Sequence, residues 1–393
     1  MRVGIIGQGV SGLFAGLMIK KEHPSYEVTI IDKNIAPGKK ILATGNGRCN
    51  ICNIDLTNIS YNNPEGLKIV DKFNSGKITE YLKTLGILTR NIGSLVYPYS
   101  LSAKQLLEQL LNRAEALKIK FENNLKVEDY KVYENRVEII TNKKLFSFEK
   151  VIFACGSASA KNLGGTTETY ELLKKHDYKI TSLKPGLCPI KTVEETRTVE
   201  SQRVKCTVTL EIDKQKIYEE NGEVIFKKNG LSGISIFNCA SMIARFKKFK
   251  KANIYLDMLP EYSEEEAFEM LNSSEFEKNS GLLQGFLPKP VAEYVRKRAG
   301  IEIKNHLNKD EITKLVSIAK HLCFTYLDSY SFDESQVTVG GLSLESVDKT
   351  LQSKTEKGVY FVGELLDVDG LCGGYNIMFA IASARLVASS INQ

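Results

Sequence analysis

No apolar run in this 393-residue chain approaches the roughly 20 residues that a bilayer-spanning helix needs, so a helical membrane passage is excluded. Disulfides are equally poorly provided for. The eight cysteines are scattered, and only Cys49 and Cys52 stand in a CxxC spacing, which is not a disulfide framework. No second CxxC or paired-His motif completes a four-ligand set, so no metal is expected. His23, His176, His306 and His321 are isolated and read as surface residues. There is no internal repeat or low-complexity tract. The first strand begins beside Met1, which leaves no room for a signal peptide, so a cytoplasmic protein is expected. With 42% hydrophobic and 25% charged residues, the chain reads as globular, with apolar content for two or three domains.

What is present starts at once. Val3-Gly4-Ile5-Ile6 is an apolar strand, Gly7-Gln8-Gly9-Val10-Ser11-Gly12 a glycine turn, and Leu13 to Met18 an apolar-striped helix. A second strand, Val28 to Ile31, ends on Asp32. Gly7 allows a tight turn, Gly9 lets the backbone approach a pyrophosphate, and Gly12 lets helix pack on strand. Free N–H groups at the helix start would face the phosphates, and Asp32 stands where a carboxylate accepts from an adenosine ribose. A lone glycine triplet would mean little. Strand, helix and acid together make a dinucleotide site.

The next stretch, Pro37 to Asn53, carries Thr44-Gly45-Asn46-Gly47-Arg48-Cys49-Asn50, a loop able to bring backbone donors to a flat ligand, with Arg48 as a fixed cation. Leu106, Leu107, Leu110, Leu111, Ala114 and Leu117 mark an amphipathic helix over 103–118. Three alternating segments follow, 125–130, 136–141 and 145–148, and then a fully apolar strand at 151–154. Residues 183–236 are strand-like and 237–323 turn helical. The net charge of +6 is local: residues 203–251 hold 11 Lys and Arg against 5 Asp and Glu, or 11 − 5 = +6. Its sharpest part is Arg245, Lys247, Lys248, Lys250 and Lys251 interleaved with Phe246 and Phe249. That pattern suits nucleic acid, while a solvated helix face with two core Phe explains it too.

The chain closes on a second signal. The strand Val359 to Val362 runs into Gly363-Glu364, then Leu365 to Gly370, Gly373-Gly374-Tyr375-Asn376 and a helix over 377–388. Returned to an N-terminal dinucleotide fold, this unit suits FAD better than NAD, because its acids can bond a ribityl chain and its helix start can face the flavin. No second dinucleotide unit lies between the two ends. NAD(P)H therefore has no domain of its own, which speaks against two-nucleotide disulfide reductases and against Cys49 and Cys52 as a redox pair.

The two end motifs, the loop at 44–50, Gly230-Leu231-Ser232-Gly233 and Val339-Gly340-Gly341 together resemble the BaiN/YhiN-like family of NAD(P)/FAD-dependent oxidoreductases. The resemblance implies an α/β fold with a Rossmann-like FAD-binding domain built from both chain ends (1–182 and 336–393), an inserted β-barrel-like domain (183–236 and 324–335) and an inserted helical domain (237–323). The candidate cofactor residues are Gly7, Gly9, Val10, Ser11, Gly12, Asp32, Lys33, Lys40, Thr44, Gly45, Arg48, Val127, Gly156, Gly363, Glu364, Asp369, Gly373, Gly374, Tyr375 and Asn376. Several positions depart from the family pattern: Cys155 and Ser157, Thr167-Glu168-Thr169, Lys227-Lys228, Cys52 and Cys372. These surround the presumed substrate side.

Relatives of this kind reduce a carbon–carbon double bond conjugated to a carbonyl, in a bile-acid ketone or in an rRNA uridine. The resemblance therefore implies NAD(P)H as transient electron donor, and an rRNA or small-molecule enone as substrate. A hydride at the β-carbon must be matched by a proton at the α-carbon, and the family-like His is absent. Cys49 is the candidate donor, with packing beneath the ring as its alternative. The five cations favour the rRNA substrate, whereas a bile acid needs no such strip. A flavin oxidase or monooxygenase, or a non-catalytic redox sensor, are the competing classes.

Overall fold

A computed structural model of the chain describes residues 1–273, 282–302 and 307–392, so His306 and parts of the 237–323 segment lie outside the described residues. The chain divides into two compact units, Met1–Lys184 with Gln336–Gln393, and Pro185–Ser335.

The first unit is built on a parallel sheet in the order Val359–Phe361, Lys150–Phe153, Arg2–Ile6, Glu27–Ile31 and Lys120–Glu122. Strands covered on both faces must be continuously apolar, and positions 3–6, 28–31, 151–153 and 359–361 are all buried. Ile6 pairs with Ile31 and Phe153, Phe153 with Phe361 and Ile31 with Glu122, so all five strands end level. Ligands of open α/β sheets bind beyond such carboxyl ends. The helices Val10–Glu22 and Tyr375–Ser390, one from each chain end, pack on each other. The helix expected over 103–118 is Ala103–Ala116. Antiparallel strands Val127–Tyr133, Arg136–Thr141 and Leu145–Phe148 make a second sheet. A third, which the sequence did not announce, joins Cys52–Asn53, Leu95–Pro98 and Thr89–Ile92.

The second unit holds a closed barrel, among the described residues, of Ile190–Thr192, Gly230–Ser232, Gln215–Lys227, Arg203–Ile212, Ala252–Asp257 and Leu322–Ser329. The 237–323 segment is thus not helical throughout. Residues 252–257 alternate too weakly with charge to stand out, yet they pair with both Arg203–Ile212 and Leu322–Ser329. Helices Glu264–Leu271 and Lys309–Lys320 start on capping boxes, Ser263 with Glu266 and Asn308 with Glu311. At the end of the latter, buried Lys320 donates to Asp257 (2.9 Å) and to the carbonyls of Leu259 and Tyr262.

Candidate functional site

The glycine turn divides its labour by where a side chain would fit. A Cβ on Gly7 (φ +113°) would lie 2.3 Å from the Ala154 carbonyl oxygen, and one on Gly12 would lie 1.9 Å from the Gly7 carbonyl oxygen. These two serve packing. A Cβ on Gly9 or Gly156 would meet nothing within 4 Å, so those positions open onto free space. The helix beginning at Val10 has no side-chain cap, which leaves its first N–H groups for a ligand. Asp32 is held by three donors: Oδ2 accepts from the Gln8 N–H (2.8 Å), and Oδ1 from the Asn34 N–H (2.7 Å) and Nδ2 (2.9 Å).

Beyond Asp32 lies a cleft that Lys33, Val127, Cys155 and Glu168 also line. Glu168 faces Lys126 (2.5 Å) and Lys33 (3.7 Å) across its wall. The Cys155 thiol, standing where the family pattern has a hydroxyl, donates to the Ile6 carbonyl (3.3 Å), and burial pushes it up to about 12.

The C-terminal motif comes to the same place. A Cβ on Gly363 would lie 2.4 Å from Ser11 Oγ, so the two glycine motifs touch. Lys40 pairs with Glu364 (3.2 Å), whose other oxygen accepts from the Thr338 N–H (3.1 Å). Asn53 donates to the Gly373 carbonyl (3.0 Å), and Gly374 sits 2.8 Å, measured from a notional Cβ, from Asn50 Oδ1. Tyr375 and Asn376 are spent on the turn itself: Tyr375 donates to the Asp55 carbonyl (2.7 Å), and the Asn376 amide bridges Gly370 N–H and carbonyl. Asp369 is buried beside Asn62, which accepts from its backbone N–H.

In the loop, Thr44 donates to the Ile41 carbonyl, Gly45 takes φ +55°, and Arg48 is exposed. Cys49 is only 2% exposed, and burial pushes its thiol up to about 11. Cys52 is buried as well, and both are free thiols. A thiol held this high stays protonated at neutral pH, as both a proton donor and a packing group require.

The sequence did not foresee three residues here. Asn50 Oδ1 and Gln8 Oε1 are buried without a hydrogen-bond partner, and so is Arg90 Nε on the small sheet. The local signal for that sheet is the Gly93-Ser94 turn between Thr89–Ile92 and Leu95–Pro98. His176 corrects the surface reading: its Nδ1 meets Glu356 (2.9 Å), its Nε2 meets Asp129 (3.0 Å), and its ring stacks on Tyr130.

The basic strip belongs to the second unit. The helix Ile234–Arg245 ends on its first cation, Arg245, and Phe246 is extended, so the lysines lie on a loop and not on a helix face. Lys247, Lys248, Lys250 and Lys251 are exposed, with no carboxylate at ion-pair distance among the described residues. Asp213 ties down the Lys250 and Lys251 N–H groups (2.9 Å each), and Phe249 leans on Tyr326.

Open space over Gly9 and Gly156, an uncapped helix start and orphaned buried acceptors at Gln8 and Asn50 fit a dinucleotide flavin laid between the two chain ends. The fold and site define a flavin-dependent oxidoreductase of Rossmann type. The chain belongs to the family described as the HI0933-like protein Rossmann domain, matched over residues 1–390. It is 30% identical to a 3-dehydro-bile acid delta(4,6)-reductase of Clostridium scindens, over 98% of this chain and 97% of that one. It is 26% identical to a ribosomal RNA dihydrouridine synthase of Haemophilus influenzae, over 99% and 98%. Among solved structures, the quinol fumarate reductase FrdA of Escherichia coli is 13% identical with a TM-score of 0.49, over 100% of this chain and 70% of that one. No helix among the described residues is long and apolar enough to cross a membrane.

Proposed function

We propose that the chain is a cytoplasmic FAD-dependent reductase, driven by NAD(P)H, of a carbon–carbon double bond conjugated to a carbonyl. The observation that carries this reading is the meeting of Ser11 and Gly363, which puts an uncapped helix start, two open glycines and two orphaned acceptors on one cradle. FAD would supply hydride transfer from the nicotinamide to the substrate's β-carbon. The chain's own part is to place it: Gly9 and the N–H groups after it hold the pyrophosphate, Asp32 the ribose, and the Lys40–Glu364 pair and the Gly373-Gly374 turn border the ring end. Cys49, protonated and beside that turn's partner Asn50, is the proposed proton donor to the α-carbon.

As substrate we put first a uridine in 23S rRNA, supported by the four exposed lysines of the 247–251 loop and by the relatives named for that activity. A small-molecule enone is the second reading, favoured by the 30% identity to the bile-acid reductase. Nucleoside mass spectrometry of 23S rRNA from cells with and without the gene decides between them. Dihydrouridine is expected to disappear without the gene and to return with wild-type protein but not with Gly9→Glu. Unchanged dihydrouridine would leave the small enone as the substrate.

A further inference from the structure

The small sheet turns one face toward the loops of the cradle. A Cβ on Gly373 would lie 3.6 Å from Leu95 Cδ2, and one on Gly45 would lie 3.7 Å from Tyr97 Cε1. Arg90 is the cross-strand partner of Tyr97, and directly opposite residues share a face. Its guanidinium lies 3.8 Å from the centroid of Tyr99, next on that face. Nε is buried without an acceptor, and among the described residues the Arg90 side chain makes no hydrogen bond or ion pair, its backbone being spent on the ladder with Tyr97. A guanidinium stacked on a ring has little freedom to seek a partner, and a buried Nε–H left unpaired is costly. The arrangement is that of a cation waiting for an acceptor brought by something else.

We propose that Arg90 is a catalytic residue, the electrophile that receives the substrate's conjugated carbonyl oxygen, donating side-on through Nε and one Nη. The assignment rests on the conjugated-carbonyl reading and holds for a uracil or a small enone alike. In the reaction the β-carbon gains a C–H bond from a hydride carrying two electrons, supplied by flavin that NAD(P)H has reduced. The π pair of the C=C bond shifts toward the carbonyl, whose own π pair moves onto oxygen as an enolate. A proton from a general acid then forms the α-carbon C–H bond and restores the C=O. Arg90 gives up no proton in this sequence, because guanidinium stays charged throughout. It meets the negative charge where that charge develops, in a donor geometry already set before substrate arrives.

The test compares wild-type holoenzyme with Arg90→Gln and Arg90→Lys. FAD affinity and anaerobic flavin reduction by NAD(P)H are expected to be unchanged in both. Reoxidation of the reduced flavin by 2-cyclohexenone or by rRNA is expected to slow about 10²–10³-fold in Arg90→Gln, as for loss of an oxyanion donor, with Arg90→Lys between the two. A second readout needs no turnover: 4-hydroxybenzaldehyde, whose phenolate mimics an enolate, is titrated into oxidised holoenzyme by flavin absorbance. Arg90→Gln should weaken it about tenfold or more. Unchanged reoxidation and phenolate affinity in Arg90→Gln would sink Arg90 alone, as would loss of FAD from that variant. A wild type reoxidised by neither acceptor would sink the conjugated-carbonyl reading and Arg90's role with it.

Discussion

The two ends of the candidate cradle are built on opposite plans. At the nucleotide end the working groups are backbone, packed close at Gly7 and Gly12 and opened at Gly9 and Gly156, and Asp32 is pinned by three donors. At the other end they are side chains kept apart from partners, Arg90 and Asn50, on short strands and a loop. A backbone site admits few alternatives: a Cβ on Gly7 or Gly12 would strike a carbonyl oxygen, and one on Gly9 would project into the open space over the turn. A side-chain site can be rewritten residue by residue; of the departures from the family pattern, Cys52 and Cys372 stand at this end beside the Gly373-Gly374 turn, whereas Cys155 and Glu168 line the cleft beyond Asp32 at the nucleotide end.

Substitutions at Gly9 and Gly12 break this contrast most sharply. Gly9→Glu should fold normally, because open space surrounds that position, yet fail to retain FAD. Gel filtration and flavin absorbance check both points, and a holo Gly9→Glu protein would remove the pyrophosphate assignment. Next comes Cys49→Ala. It should spare FAD binding and flavin reduction while cutting substrate reduction at least about a hundredfold, the usual worth of a general acid. A wild-type rate would assign Cys49 to packing. Gly12→Ala should act on the fold, not on the ligand. Forcing a methyl against the Gly7 carbonyl should cost about 1–3 kcal/mol of unfolding free energy, read as a lower denaturant midpoint, even without flavin. The smallest effect concerns the second unit: four exposed lysines on single-stranded RNA give a log–log salt slope of about −3, and each Lys→Gln in the 247–251 loop should lower it by about 0.7. A flat salt response would leave the loop as solvated surface.

The nucleotide end was legible in the sequence because its constraints are local: strand, turn, helix and acid lie within 32 consecutive residues. The closing motif was legible for the same reason. The small sheet was not, because Cys52–Asn53 is two residues long and Thr89–Ile92 carries Arg and Asn in place of an apolar alternation. Cys52–Asn53 pairs with residues about 40 positions away, Cys52 with Val96 and Asn53 with Leu95, while Thr89–Ile92 and Leu95–Pro98 form a local hairpin without an apolar pattern to mark it. His176 was misread on similar grounds, its carboxylate partners lying 47 and 180 residues away. The lysine loop was seen, but its conformation was not: a run of like charges offers no apolar stripe to continue the helix past Arg245. Arg90 could not be found from sequence at all, since what singles it out is the absence of a partner.

The sheet of the first unit takes its last strand from residues 359–361, after the whole inserted unit. During synthesis the glycine turn therefore emerges long before the strand and helix that complete its surroundings. Residues 1–184 must wait on the ribosome with an open edge at Lys150–Phe153, a template for wrong pairing. Cofactor capture becomes a check on a finished chain: a product cut short before Val359 lacks the closing motif, stays flavin-free and remains open to proteolysis.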